Sequence, residues 1–348
     1  MTAKTFTDDR FKQWTRLLVR DGNILRLLIA CVVIFVAMSI LRPEVFPTLD
    51  NFRSMGSQFP EIGILALAIM ITMITGGIDL SIVAIANISG VIAALIIRAL
   101  IPADATTMQT VLGLVAAIAA AFVVGAVCGL VNGVLIAYIN LTPILATLGT
   151  MTLFTGITVA MTRGNAVFAN DQLTFIGEKY LFDVIPYPLL IFAAVILVFT
   201  VILNRTSFGV KLYMLGTNQK AARFSAINVR TNIMVAYILS GLLSAVVAVI
   251  FLGRNNTAKW DFAQSYVLQA ILVAVLAGVN VNGGFGRLAG IVLAILALQF
   301  ISTGLSMLLL TVSGGNFFKE FAWGGILLTI MVVNFYSDQR KAASTPKD

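Results

Sequence analysis

The chain has 348 residues, of which 59% are hydrophobic and 11% charged, with a formal net charge of +8. Soluble domains carry about 25% charged residues, so this apolar surface cannot be hidden in a water-soluble globule, and a bilayer is its natural solvent. Histidine is absent, which removes the commonest general base and the commonest metal ligand. No catalytic site, metal or cofactor is expected.

The first 22 or so residues are polar and include Asp8, Asp9 and Asp21. The apolar run after them, Ile24–Leu41, outlasts the core of a cleavable signal, about 7–15 residues. Residues 1–23 are therefore expected to form a cytoplasmic tail ahead of an anchoring span. Further runs follow at Ser54–Ile74, Leu80–Leu100, Val111–Ile139, Ile144–Met161, Pro188–Leu203, Asn232–Leu252, Val267–Val279, Leu288–Leu310 and Phe318–Phe335. The runs are long and predominantly apolar, without the alternation of barrel strands, and most approach the roughly 20 residues a helix needs to cross a bilayer. The fold class predicted is an all-α polytopic membrane protein of about ten transmembrane helices. The fourth run is long enough to tilt or to project. The eighth is short and ends in "GVNVNGGFG" (278–286), which predicts a broken or re-entrant segment. Residues 24–335 make one transmembrane domain, and 336–348 a second cytoplasmic tail.

Basic residues set the orientation. With the N-terminus inside and ten crossings, the inner side collects 15 of the 23 Lys and Arg, and nine of the 15 acids fall outside. N-in, C-in is the favoured topology. The largest inner loop, 204–231, then holds five basic residues and no acid. Its centre, "QKAARFSAI", reads as a short helix with Ala222, Ala226 and Val229 on one stripe and Phe224 and Ile227 nearby. Such a helix suits either docking to another protein or lying against lipid headgroups.

Asp79 follows the pair Gly76 and Gly77 between two spans. A carboxylate at mid-membrane costs at least about 2.5–3.5 kcal/mol and marks a pathway or a paired site. At the membrane edge, Asp79 and Ser81 would instead cap the third helix, and this capping reading is preferred. Asn87, Asn132, Thr147, Thr150, Thr155, Gln299, Ser302 and Thr303 are polar positions inside spans. They could touch a neutral polyol in passing or form ordinary interhelical bonds. Gly125, Gly129 and Gly133 recur every four residues and predict close helix packing. "NGGFG" (282–286) predicts a tight turn beside loop 204–231. Cys31 and Cys128 lie within apolar runs and read as small buried hydrophobes. The outer loops 163–188 and 253–266, with Trp260 and Tyr266, offer contacts to a partner or anchors at the membrane interface.

Four stretches carry a family resemblance. "ITGGIDLS" (74–81), "LTPILATLGTMTLFTGI" (141–157), "GTNQKAARFSAINV" (216–229) and "YILSGLLSAVVAVI" (237–250) stand in order and at matching spacing. Together they resemble the permease subunits of bacterial ATP-binding-cassette sugar importers of the ribose, galactose and xylose type, related to branched-chain amino acid permeases. The resemblance implies a transport subunit that works with a cytoplasmic ATPase, a periplasmic solute-binding protein and a second permease subunit, in the inner membrane and with no nucleic-acid partner. It implies that Gly216, Asn218, Ala221, Ala222, Arg223, Ser225 and Ile227 couple to the ATPase. Gly76, Gly77, Asp79, Ser81, Asn132, Thr147 and Gln299 would belong to the translocation pathway or a helix break. The chain departs from the family pattern at Lys220, where an acid is usual, at Ala226, where glycine is usual, and in "LAGVNVNGGFG". No phosphate-binding G-x-x-x-x-G-K-[ST] loop occurs, so ATP would be bound by another chain. The solutes carried on this scaffold include monosaccharides and furanose signals such as autoinducer-2. An ion-coupled secondary transporter is the alternative, and few intramembrane ionisable groups favour it.

Overall fold

The computed structural model describes residues 22–309 except 103, together with Phe318, Phe321, 323–325, Leu328 and Val332. Eight helices among these are long and apolar enough to cross a membrane. They are α1 (Gly22–Leu41), α2 (Leu49–Ile74), α3 (Ile82–Leu100), α4 (Thr107–Ala137), α5 (Pro143–Thr162), α7 (Tyr187–Arg205), α10 (Val229–Asn255) and α12 (Leu288–Leu308). Between them lie the short helices α6 (Phe175–Glu178), α8 (Ser207–Thr217), α9 (Gln219–Phe224) and α11 (Tyr266–Leu276). Four two-residue strands, β1 (Val167–Phe168), β2 (Tyr180–Leu181), β3 (Ile185–Pro186) and β4 (Thr257–Ala258), pair antiparallel as β1–β4 and β2–β3. The chain is an all-α polytopic membrane protein.

The eighth apolar run is α11, only 11 residues long. It ends at Leu276, just before Gly278, whose φ of 82° is a left-handed stop, and a looped segment carries the chain back into α12. This is the broken segment the glycines predict. The tenth run, Phe318–Phe335, and both tails fall mostly or wholly outside the described residues.

Helix starts follow local chemistry. Thr48 accepts from the Asn51 amide at the head of α2, Asn228 accepts from Thr231 at the head of α10, and Thr106 forms a capping box with Gln109 ahead of α4. Pro143 opens α5, where its missing amide costs nothing.

The molecule is built around α2, which is almost wholly buried along its spanning length and enclosed chiefly by α7, α10, α11 and α12. The flanks α1, α4, α5 and α7 leave most of their side chains outward, as spans facing lipid do. Where helices touch inside, small residues set the distance. α4 and α10 run antiparallel with their backbones in contact. A side chain at Gly125 or Gly129 would strike the carbonyls of Gly241 and Tyr237, and a Cβ at Gly133 would lie 2.8 Å from Met234 Cα. The four-residue glycine repeat thus does what its spacing predicts. In lipid, association rests on such packing rather than on hydrophobic burial.

The helix directions define two faces. Ile74, at the end of α2, meets Gly284 and the α8 glycine Gly216, so α2 ends on the face that carries loop 204–231. α10 starts there and ends at Asn255 on the opposite face, beside the two strand pairs.

Candidate functional site

Between α2 and α3 the chain turns sharply. Thr75 Oγ1 donates to the Thr72 carbonyl at 2.7 Å, and Gly76 takes a φ of 85°. Gly77 then passes so close to Tyr237 and Pro143 that a Cβ would lie 2.5 Å from the Tyr237 hydroxyl. Both glycines are required, Gly76 by its backbone angle and Gly77 by the close approach.

Asp79 follows, fully buried. Its Oδ1 accepts from the Ser81 amide at 3.0 Å and from Ser81 Oγ at 2.6 Å. Its Oδ2 accepts from Ser240 Oγ of α10 at 2.8 Å. Ser81 Oγ in turn accepts from Asn132 Nδ2 of α4 at 2.7 Å, and Asn132 Oδ1 accepts from Thr150 Oγ1 of α5 at 2.6 Å. The donors form a chain directed at the carboxylate, from Thr150 through Asn132 and Ser81, with Ser240 arriving from the other side. The positive end of α3 lies beside it. Three donors and a helix N-terminus partly offset the desolvation of this buried carboxyl group. Thr147 completes the cluster, donating to Pro143 O at 2.9 Å and to Ile78 O at 3.2 Å.

Sequence reasoning therefore selected residues that assemble here: Gly76, Gly77, Asp79, Ser81, Asn132, Thr147 and Thr150. The helix-capping geometry differs from expectation. Ser81 makes no cap bond with its own side chain, and Asp79 both holds the turn and reaches across to α10. Ser240 and Tyr237 were missed. The signal for Ser240 was present in "YILSGLLSAVV", where Ser240 and Ser244 fall one turn apart in an apolar span. The Tyr237 hydroxyl is buried without a hydrogen-bond partner among the described residues.

Gln299 lies elsewhere, on α12, where it donates to Thr303 at 3.1 Å and lines an apolar groove against α2 and α7. Ser302 accepts the Ser306 hydroxyl at its carbonyl, also on α12, and Thr155 sits half-buried on α5. Asn87 is committed to structure, donating to the carbonyls of Trp260 and Phe262 and so fixing the loop after β4.

Loop 204–231 is ordered as two short helices. α8 is held close to the protein, because Gly216 lies so near Ile74 O and Gly284 that no side chain fits. Tyr213 of α8 donates to Gly286 O at 2.7 Å, and burial pushes its phenol pKa up. The "NGGFG" turn thus lies directly beside this loop. Asn218 caps α9 by accepting from the Ala221 amide at 3.0 Å.

α9 ends in a Schellman motif. The Ile227 amide donates to Ala222 O and the Ala226 amide to Arg223 O, each at 3.1 Å, with Ala226 at φ 57°. This explains the departure at Ala226: the position is the left-handed cap where glycine fits, and alanine there costs about 1–2 kcal/mol. It also corrects the expected stripe, because Ala222, Ala226 and Val229 do not share one helix. Ala222 and Val229 turn inward onto Leu215, Ala146, Ile233 and Tyr237. The outward face carries Ala221, Arg223, Phe224 and Ser225, with the Phe224 ring 93% exposed. Ile227 is half-buried beneath it.

Residues 53–335 match the model of the family described as "Branched-chain amino acid transport system / permease component". The chain is 32% identical over 285 residues to the autoinducer 2 import system permease protein LsrD of Yersinia enterocolitica, covering 80% of this chain and 81% of that one. It is 30% identical over 284 residues to the LsrD proteins of Yersinia pseudotuberculosis and Yersinia pestis, with 80% of each chain covered. No solved structure matches the chain.

Proposed function

This chain belongs to the family of branched-chain amino acid transport permease components, and on that premise we propose that it is the membrane subunit of an ATP-driven importer whose energy enters through α9. It is a multi-pass inner-membrane transport subunit and not an enzyme. The ATPase is a separate cytoplasmic chain. A periplasmic binding protein delivers the solute, and a second permease subunit completes the pore. The solute is a small polar one of the monosaccharide class, with an autoinducer-2-like furanose first among the choices, because the relatives named above are autoinducer 2 import permeases.

The observation that carries this reading is the exposed face of α9. A basic, acid-free loop presents a 93% exposed phenylalanine on a capped helix whose other side is packed onto α4, α5, α8 and α10. A monomer gains nothing by exposing that ring, whereas aromatic and arginine side chains are the usual anchors of an interface. Asn218, Ala221, Arg223, Phe224 and Ser225 form the docking face. Gly216, Ala222 and Ile227 support it from beneath. On this reading the 204–231 face is cytoplasmic, as are the tails 1–23 and 336–348, and residues 24–335 form the permease domain.

The Asp79 cluster fixes the helix break and ties α3, α4, α5 and α10 together at the base of the pathway. Solute contacts along the way are weak, because affinity resides in the binding protein. The test is solute-stimulated ATP hydrolysis and uptake by the complex reconstituted with ATPase and binding protein. Ser225→Arg and Phe224→Ala should each weaken ATPase association by about 1.4 kcal/mol or more, tenfold in affinity, with unchanged insertion of the permease. Normal co-purification and uptake in both variants would refute the assignment of α9.

A further inference from the structure

The first three turns of α2 on the opposite face are unlike the rest of that helix. Asp50, Arg53, Ser54, Ser57, Gln58 and Glu61 fall at i, i+3, i+4, i+7, i+8 and i+11, a single polar stripe. From Ile62 to Ile71 the helix is then wholly apolar apart from Gly63. The stripe faces a groove of about 590 Å³, closed on its other sides by Tyr180, Asp183 and Arg254. Arg254, near the end of α10, reaches from the groove to the buried Glu61 and pairs with it at 2.5 Å. That ion pair is the floor, below which the apolar core begins.

The groove's chemistry selects a ligand class. Arg53 is held by Asp50 at 3.0 Å and by the Asp183 carbonyl, and its guanidinium lies 6.0 Å from the Tyr180 ring centre. Its Nε is enclosed and has no hydrogen-bond partner among the described residues. The exposed carboxylates of Asp50 and Asp183 oppose an anion, and the two guanidiniums oppose a cation. Gln58 and Ser54 offer both donors and acceptors and bond to each other at 2.9 Å. Carboxylate and guanidinium forks beside hydroxyl and amide groups match adjacent hydroxyls, and an aromatic ring matches the C–H face of a sugar. The geometry points to a binding site for a neutral polyhydroxylated solute in this groove, with Arg53, Asp50 and Gln58 as its polar contacts and the Glu61–Arg254 pair as its floor. This inference rests on the importer reading, which makes the groove face the periplasm and receive solute from the binding protein.

The test uses the full complex in right-side-out vesicles with Ser54→Cys, an exposed groove position outside the three named contacts. The native Cys31 and Cys128 are buried, so the unsubstituted complex serves as the blank for a membrane-impermeant methanethiosulfonate reagent. The probes are autoinducer-2, D-ribose and D-galactose at millimolar concentration. Residue 54 is expected to react from outside. At least one probe should slow that reaction by about tenfold near saturation, and addition of Arg53→Lys should abolish the protection while leaving the labelling. No labelling, labelling unaffected by all three probes, or full protection in the Arg53→Lys complex would each overturn the site. ATP-dependent uptake by the unsubstituted complex is read alongside. Uptake without protection removes the groove and leaves the importer reading intact, whereas uptake driven by an ion gradient without the ATPase removes that reading itself.

Discussion

At the scale of single residues, Asp79 and Ala226 make opposite demands on the backbone. Asp79 satisfies a break that would otherwise leave the Ser81 and Ser240 donors buried and unmatched. Hydrogen bonds to a charged group are worth about 1.5–3 kcal/mol, and orphaned buried partners add their own cost. Asp79→Ala is therefore expected to lower the thermal midpoint of the purified permease markedly. Asp79→Asn, which keeps an acceptor, should lower it less and leave the solute affinity of the assembled complex unchanged. A fall in affinity with normal assembly would instead make Asp79 part of the pathway. Ala226→Gly should raise the midpoint, since it relieves a left-handed alanine costing about 1–2 kcal/mol, and melting of the purified protein reads the change. The sequence showed that Asp79 was special, because a lone acid stands out among apolar spans. It could not show the bond to Ser240, since the two lie 161 residues apart and only folding brings them together.

At the scale of elements, the α4–α10 seam and the α9 platform are the parts most exposed to mutation. Gly129→Val would drive a branched side chain into the Tyr237 carbonyl, and overpacking of this kind costs about 1–3 kcal/mol or more. Gly149 and Gly156 on α5 have open space around them, so Gly149→Val is the matched control. Fluorescence-detected size exclusion should show loss of monodisperse protein for the first and none for the second. The glycine repeat was legible because its period is that of a helix face. The outward side of α9 was not. Helical periodicity assumed continuity through Ala226, whereas the Schellman turn ends the helix at Phe224 and reassigns which residues point inward. The short eighth segment was legible for the converse reason, since glycines mark where a helix must stop.

At the scale of the whole molecule, hydropathy sufficed to find the spans, because a bilayer demands long uninterrupted apolar helices. The order in which they pack was not readable, since lipid and protein interior are equally apolar and spacing alone does not say which face meets which. That α2 is the enclosed axis emerges only from the structure. Orientation rests on charge and has its own check. A cysteine at Lys220 should react with an impermeant reagent only in inside-out vesicles, and one at the exposed Phe182 of the β2–β3 turn only in right-side-out vesicles. The reverse pattern would invert every assignment of face made above.

The bare contact between α4 and α10 has a mechanical consequence. With backbone against backbone at Gly125, Gly129 and Gly241, the pair has no cushion of flexible side chains to absorb displacement, so we expect it to move as one stiff unit. α10 begins next to the α9 platform and carries Arg254, a residue of the groove's floor, in its last turn. If α9 is the docking face proposed above, a push on Phe224 is expected to reappear as a tilt at the far tip, where Arg254 pairs with Glu61.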